Sequence, residues 1–169
     1  MKGGGTVTDF EKIYSEYFDS VYSYILRLSG NRQTAEDITS ETFFKAMKAI
    51  DGFRGDCEIR VWLCQIAKNC YYSQIKKQKD ILPLNEDSAL SEEGLEEKLI
   101  KADEAERIRN ALHKINEPYR EVFMWRVFAE MSFKQIGSIF SKNENWACVT
   151  YHRARKMILD KLEENDNEK

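Results

Sequence analysis

Two prolines and eight glycines in 169 residues leave few points where a helix is forced to stop. Alternating polar and apolar runs of the kind strands need are also scarce, so the chain reads as all-α. Its four cysteines, Cys57, Cys64, Cys70 and Cys148, form no C-x-x-C pair, and the two histidines, His113 and His152, lie far from them in sequence. That spacing argues against a zinc site, and reduced thiols, partly in the core, are favoured over redox sensing. No run approaches the roughly 18 apolar residues of a membrane-spanning helix. The start, MKGGGTVTDF, has no apolar signal segment. The expectation is a cytoplasmic protein without membrane insertion. Catalytic equipment is missing too: there is no nucleophile–base pair, and GGG at 3–5 lacks the Lys-Ser/Thr of a phosphate-cradling loop. No enzyme activity, cofactor or metal is expected.

Charge of one sign is missing locally rather than globally. The net charge of -3 and pI near 5.6 argue at first sight against nucleic acid. Binding depends on where charges sit, however. Residues 59–79 contain no acid, and neither do residues 145–157. The acids gather instead in 80–106 and near the tail.

The stretch 132–162, SFKQIGSIFSKNENWACVTYHRARKMILDKL, organises the reading. Phe133, Ile136, Ile139 and Phe140 recur at helical spacing and predict one short buried stripe. Ser141, Asn143, Glu144 and Asn145 interrupt it with turn and cap formers. A second periodic run places Ala147, Tyr151, Ala154 and Ile158 inward, with Cys148, Thr150, His152, Arg153, Arg155 and Lys156 outward. Two helices joined by a polar turn, the second with a basic face, form the pattern of a helix-turn-helix. Gly137 falls where the helices would cross and lets the backbones approach closely. A solvated charged face is the plain alternative. The short first helix, the glycine and the acid-free second helix together favour DNA binding.

Upstream, Phe10, Tyr14, Tyr17, Val21, Ile25 and Leu28 predict a helix over 7–28, with Tyr22 and Tyr24 at its rim. Ser29-Gly30-Asn31 ends it. Thr34 is the expected cap of a second helix reaching about Ile50, with Ile38, Phe43, Ala46, Met47 and Ile50 inward. The turn-rich loop 51–56 carries Phe53 and Arg54. A third helix over 58–79 is expected to bury Ile59, Trp62, Leu63, Ile66 and Cys70. Its other side gathers Lys68, Asn69, Tyr72, Gln74, Lys76 and Lys77, a mixture suited to phosphate and base contact. The acidic segment 80–98, with Pro83 and Gly94, reads as a flexible linker between a domain at 7–79 and one at 99–162. In the second domain Leu99, Ala102, Ile108, Leu112 and Ile115 mark one helix. Pro118 opens another, with Tyr119, Val122, Phe123 and Val127 inward. Residues 160–169 read as a frayed tail.

Two segments together resemble a known family. AEDITSETFFKAMKAIDGF with VWLCQIAKN resembles the second region of sigma-70-type initiation factors, and NEPYREVFMWRVFAEMSFKQIGSIF with NWACVTYHRARKM resembles their fourth region. With only a linker between them, the chain resembles the minimal extracytoplasmic-function class over about residues 10–162. The resemblance implies a bacterial RNA polymerase sigma factor that recognises −10 and −35 elements. Its implied partners are the RNA polymerase core, through the β′ clamp and β flap, promoter DNA and an anti-sigma factor. It assigns polymerase binding to Asp37, Ser40, Glu41, Phe43 and Phe44, with Ser40 where a Gln is usual. It assigns the −10 element to Phe53, Arg54, Trp62, Lys68, Asn69, Lys76 and Lys77. There, loop 51–56 would receive a flipped base, and Ser73 stands where an Asp is usual. It assigns the −35 element to Lys134, Trp146, Cys148, Val149, Thr150, His152, Arg153, Arg155 and Lys156, with Cys148 where Arg or Lys is common. The alternative reading is a stand-alone helix-turn-helix regulator with 7–79 as a dimerisation or ligand module. A helical adaptor without DNA binding leaves the acid-free stretch 59–79 unexplained.

Overall fold

The computed structural model describes residues 7–79 and 95–168, and side chains over 9–78 and 103–168. Among the described residues it holds seven α-helices, a short 3-10 turn and no strand. The chain divides into two compact units, residues 1–80 and 81–169. Residues 80–94 of the expected linker lie outside the described residues.

The first unit contains α1 (Val7–Ser29), α2 (Arg32–Ala49), a 3-10 turn (Ile50–Gly52) and α3 (Ile59–Lys79). Each of the three helices packs on the other two. α1 contributes Val21, Tyr24, Ile25 and Leu28, an i, i+3, i+4, i+7 stripe closed to water. Tyr24 is therefore a core residue and not a rim one, because it lies on the same line as Val21 and Leu28. Gly30, at φ 66°, makes the left-handed turn that a side chain would resist. The helix cap is Asn31 and not Thr34: the Asn31 side chain accepts from the Thr34 N–H at 2.9 Å.

α2 buries Ala35, Ile38, Thr39, Thr42, Phe43 and Ala46. Its small residues let α1 and α3 approach, while Phe43 meets an aromatic cluster. Ring centroids lie 4.9 Å away at Tyr14, 6.0 Å at Phe18 and 6.4 Å at Phe10. Met47, expected inward, is 49% exposed. On α3 the buried stripe is Val61, Leu63, Cys64, Ala67, Cys70 and Tyr71, turned from the expected one. Ile59, Trp62 and Ile66 are only half-buried. The small Cys64 and Ala67 take the tightest positions and leave the larger side chains at the edge.

The second unit contains α4 (Leu95–His113), α5 (Tyr119–Val127), α6 (Phe133–Ile139) and α7 (Glu144–Asn167). α4 starts earlier than the expected Leu99. α5 buries Val122, Phe123, Met124 and Trp125, whereas Val127, expected inward, is 37% exposed. α7 is the hub, packing on α4, α5 and α6. It continues through the predicted tail, where Arg107 of α4 pairs with Asp166 and the Lys114 ammonium, just after α4, donates to Asn165 at 3.4 Å.

Gly137 is pressed against the turn before α7 and not against a crossing helix. A Cβ there would lie 2.8 Å from the carbonyl oxygens of both Lys142 and Asn143. The Gly137 carbonyl also accepts from the Lys142 N–H at 2.8 Å. Gly137→Ala should therefore cost about 1–3 kcal/mol, the usual range for overpacking. Hydrogen exchange should quicken in α6 and α7 and stay unchanged in α1–α3; unchanged protection throughout would refute the contact.

Candidate nucleic-acid interface

In the first unit, the core stripe of α2 leaves a second stripe facing water. Asp37, Ser40, Glu41, Phe44 and Met47 are all exposed and follow one another at helical spacing. Phe44 is 53% exposed, an unusual position for so large an apolar ring. Lys48 sits 4.2 Å over its centre, and Lys45 pairs with Glu41 at 2.7 Å. Phe43, grouped with Phe44 in the sequence, is only 3% exposed and belongs to the core. Adjacent residues on a helix point about 100° apart, so one phenylalanine enters the core and its neighbour leaves it.

Beyond the 3-10 turn, Gly55 at φ 74° bends the loop into α3. Phe53 is half-buried and leans on Trp62, with centroids 4.9 Å apart. Arg54 is exposed beside it. Trp62, Asn69 and Lys76 stand seven residues apart, so they form one line down α3 about 10 Å per step. Asn69, Lys76 and Lys77 are exposed, while Lys68 and Gln74 are half-buried on the flanks.

In the second unit, α6 opens with a capping box that the sequence reading passed over. The Ser132 side chain accepts from the Gln135 N–H at 3.1 Å, and the Gln135 side chain accepts from the Ser132 N–H at 2.8 Å. α7 opens at Asn143, whose side chain accepts from the Trp146 N–H at 2.8 Å. Between them Ser141 takes a positive φ of 55°. Trp146 packs on Phe140 with centroids 5.2 Å apart and closes the turn, half-buried.

The inward stripe of α7 is Ala147, Thr150, Ala154 and Ile158. Thr150 was expected outward, yet it is 5% exposed, because three residues after Ala147 it shares the core side. Tyr151 is half-buried against Phe123 and Phe133. Exposed Val149, His152, Arg153, Arg155 and Lys156 face water, Cys148 is half-buried among them, and Lys134 is exposed on α6. Asn145, also exposed, lies seven residues before His152 and on the same line. The sequence placed Asn145 among the turn formers and at the start of the region-4-like segment but not among the −35 residues; its spacing to His152 was the signal. No acid lies between Asn145 and Met157 to oppose a phosphate.

All four cysteines are free. Burial pushes the Cys64 thiol up to about 12 and raises Cys57 as well, where Asp56 and Glu58 add to the effect. Cys70 is raised too, first by burial and then by Glu41, although the Lys45 ammonium donates to its sulfur at 3.5 Å. Among the described residues no group of His, Cys, Asp and Glu could hold a metal ion.

Residues 13–81 match the family model for Sigma-70 region 2, and residues 105–158 match that for Sigma-70, region 4. The RNA polymerase sigma factor YlaC of Bacillus subtilis is 30% identical over 150 residues, spanning 86% of this chain and 87% of YlaC. The ECF RNA polymerase sigma factor SigW of the same organism is 28% identical over 166 residues, spanning 90% of this chain and 88% of SigW. This chain belongs to the ECF sigma factors of the sigma-70 family.

As a sigma factor it is a DNA-binding transcription initiation factor and not an enzyme. That membership sets aside the stand-alone regulator and the adaptor. Two solved structures share the fold of this sigma factor. CnrH, in complex with the cytosolic domain of CnrY, aligns with a TM-score of 0.65 at 16% identity, covering 94% of this chain and 90% of CnrH. RpoE of Bartonella quintana, in complex with the anti-sigma factor NepR, aligns with a TM-score of 0.62 at 20% identity, covering 93% and 98%. No helix among the described residues is long and apolar enough to cross a membrane.

The raised Cys64 thiol has a direct consequence. Its folded pKa of about 12 lies above the ordinary value of 9.0. Between those values the unfolded chain has released a proton that the folded chain keeps, so stability falls as pH rises through that window. Denaturant midpoints of the first unit should drop from pH 9 upward, and Cys64→Ala should flatten the slope. An unchanged slope in Cys64→Ala would show that another group is responsible.

Proposed function

We propose that the first unit holds RNA polymerase and the opened −10 element, while the second unit reads the −35 element. The observation that carries this division is the pair of outward faces, one on α3 over residues 59–79 and one on α7 over residues 145–157, each basic and each free of acid in a net acidic chain. Arg153, Arg155 and Lys156 neutralise phosphates, while the start of α7 enters the major groove. In the first unit the Asp37–Ser40–Glu41–Phe44–Met47 stripe docks on the β′ clamp, its apolar ring buried by the partner and its carboxylates set against basic groups. Phe53 and Trp62 offer aromatic surface to an unstacked base, with Arg54, Asn69, Lys76 and Lys77 along the strand. Taking a base out of the stack costs a few kcal/mol, which such stacking offsets. Each surface alone contacts few phosphates and binds weakly. Mounting both on one polymerase makes the second contact intramolecular and raises its effective concentration. The second unit also contacts the β flap.

We place this reaction in the cytoplasm. We also propose that an anti-sigma protein restrains the chain; of two proteins of the same fold, RpoE was solved with the anti-sigma factor NepR and CnrH with the cytosolic domain of CnrY.

Run-off transcription with core polymerase and a randomised promoter library tests the function. The chain should direct initiation at a defined pair of elements; tight binding to duplex DNA without polymerase and no transcript would contradict it. On a selected promoter, Lys156→Ala should reduce the salt slope of holoenzyme binding by about 0.9, the value of one lost phosphate contact, with an unchanged melting curve. An unaltered slope would remove Lys156 from the interface. The two phenylalanines of α2 should separate cleanly. Phe44→Ala should weaken core polymerase binding without lowering stability. Phe43→Ala should cost about 3–5 kcal/mol of stability, as large core truncations do. Equal stability losses would contradict the outward assignment of Phe44.

A further inference from the structure

Val149 stands out on the basic face of α7. It is 40% exposed, and its neighbours on that face are Asn145, His152, Arg153 and Lys156. Core packing does not explain it, because the inner stripe is made by Ala147, Thr150, Ala154 and Ile158. Helix formation does not explain it either, since a β-branched residue is a weak helix former at an exposed position. Met157 and Leu159 are exposed too, but they lie two turns or more further along, beyond the residues with which a recognition helix reaches base edges. In the major groove the C5-methyl group of thymine is the one apolar feature of the base edges. Asn143 spends its side-chain oxygen on the cap, whereas Asn145 is exposed one turn before Val149. An Asn amide matches the N6 and N7 positions of adenine. Four residues of helix advance about 6 Å, which spans one to two base-pair steps of about 3.4 Å.

We infer that Val149 reads a thymine methyl group in the −35 element and that Asn145 takes the adenine of a neighbouring pair. The inference rests on α7 being the −35 recognition helix. The −35 element of this sigma factor thus contains adjacent A·T pairs at the positions facing the first two turns of α7.

The test uses the full chain with core polymerase on templates selected from the randomised library. Thymines of the selected −35 element are replaced one at a time by deoxyuridine, which removes only the methyl group. At one position the wild-type chain should lose about four-fold in transcript, the value of one buried methyl group. Val149→Thr, which keeps one γ-methyl group, should retain that loss on replacement. Val149→Ala and Val149→Ser, which lose both γ-methyl groups and so end about 1.5 Å short of the base, should transcribe thymine and deoxyuridine templates equally, with melting curves unchanged. A library reselected with Asn145→Ala should lose its preference at a single adenine. Indifference of the wild type to every methyl group would overturn the assignment of Val149, as would a preference surviving in Val149→Ala. A uniform loss across all templates in Asn145→Ala would overturn that of Asn145. In both cases −35-dependent transcription persists, so the reading of α7 stands. Transcription that ignores the −35 sequence altogether would overturn that reading and this inference together.

Discussion

The pressing of Gly137 against the backbone of Lys142 and Asn143 is the contact on which the second unit depends. It fixes the tight turn between α6 and α7; the Asn143 cap opens α7 at the end of that turn, and the Ser132 cap opens α6. Once the turn is fixed, the inward stripe of α7 can seat on α5 and α6 in only one rotation. Everything on the other side follows: Asn145, Val149, His152 and Lys156 face outward because Ala147, Thr150, Ala154 and Ile158 face inward. The same rule governs the first unit, where a core stripe of small residues and one phenylalanine leaves its neighbour standing in water on α2.

Function in this chain is carried by local charge and not by net charge. A chain of net charge -3 would repel DNA if its charges were evenly spread. It confines its acids to other segments and leaves α3 and residues 145–157 of α7 basic or neutral. Exposed charges beyond about 10 Å are screened at ordinary salt, so each face acts on what lies against it. Exposed apolar groups complete the division: Phe44 and Met47 on α2, and Val149 on α7, stand outside the core of their units.

Much of this was legible in the sequence. The all-α class, the two-part organisation and the helix-turn-helix followed from the helical spacing, the scarcity of breakers and the acidic interruption. The legible signal was periodicity, and the errors came where periodicity was diluted. Large residues drew the predicted stripe of α3 towards Trp62 and Ile66, whereas the helix turned its small Cys64 and Ala67 inward, because close packing rewards fit as well as apolarity. Thr150 and Tyr24 fell off the predicted stripes and were buried by the actual register. Phe43 and Phe44 could not be told apart by residue type; only the Ala35–Ile38–Thr42–Ala46 line separates them. The tail after Asp160 read as frayed because it is polar and terminal, and the groups that engage it, Arg107 on α4 and Lys114 just after α4, sit far back in sequence.

The central claim is that two separate faces of one chain meet two stretches of one promoter only when polymerase carries them. Site-specific photo-cross-linking measures this directly, with a photoreactive residue at position 69 in one variant and at position 152 in another. With core polymerase and a selected promoter, the first should attach to the −10 stretch and the second to the −35 stretch, and neither should attach without polymerase. Adducts of equal strength without polymerase, or attachment of both positions to the same stretch, would contradict it.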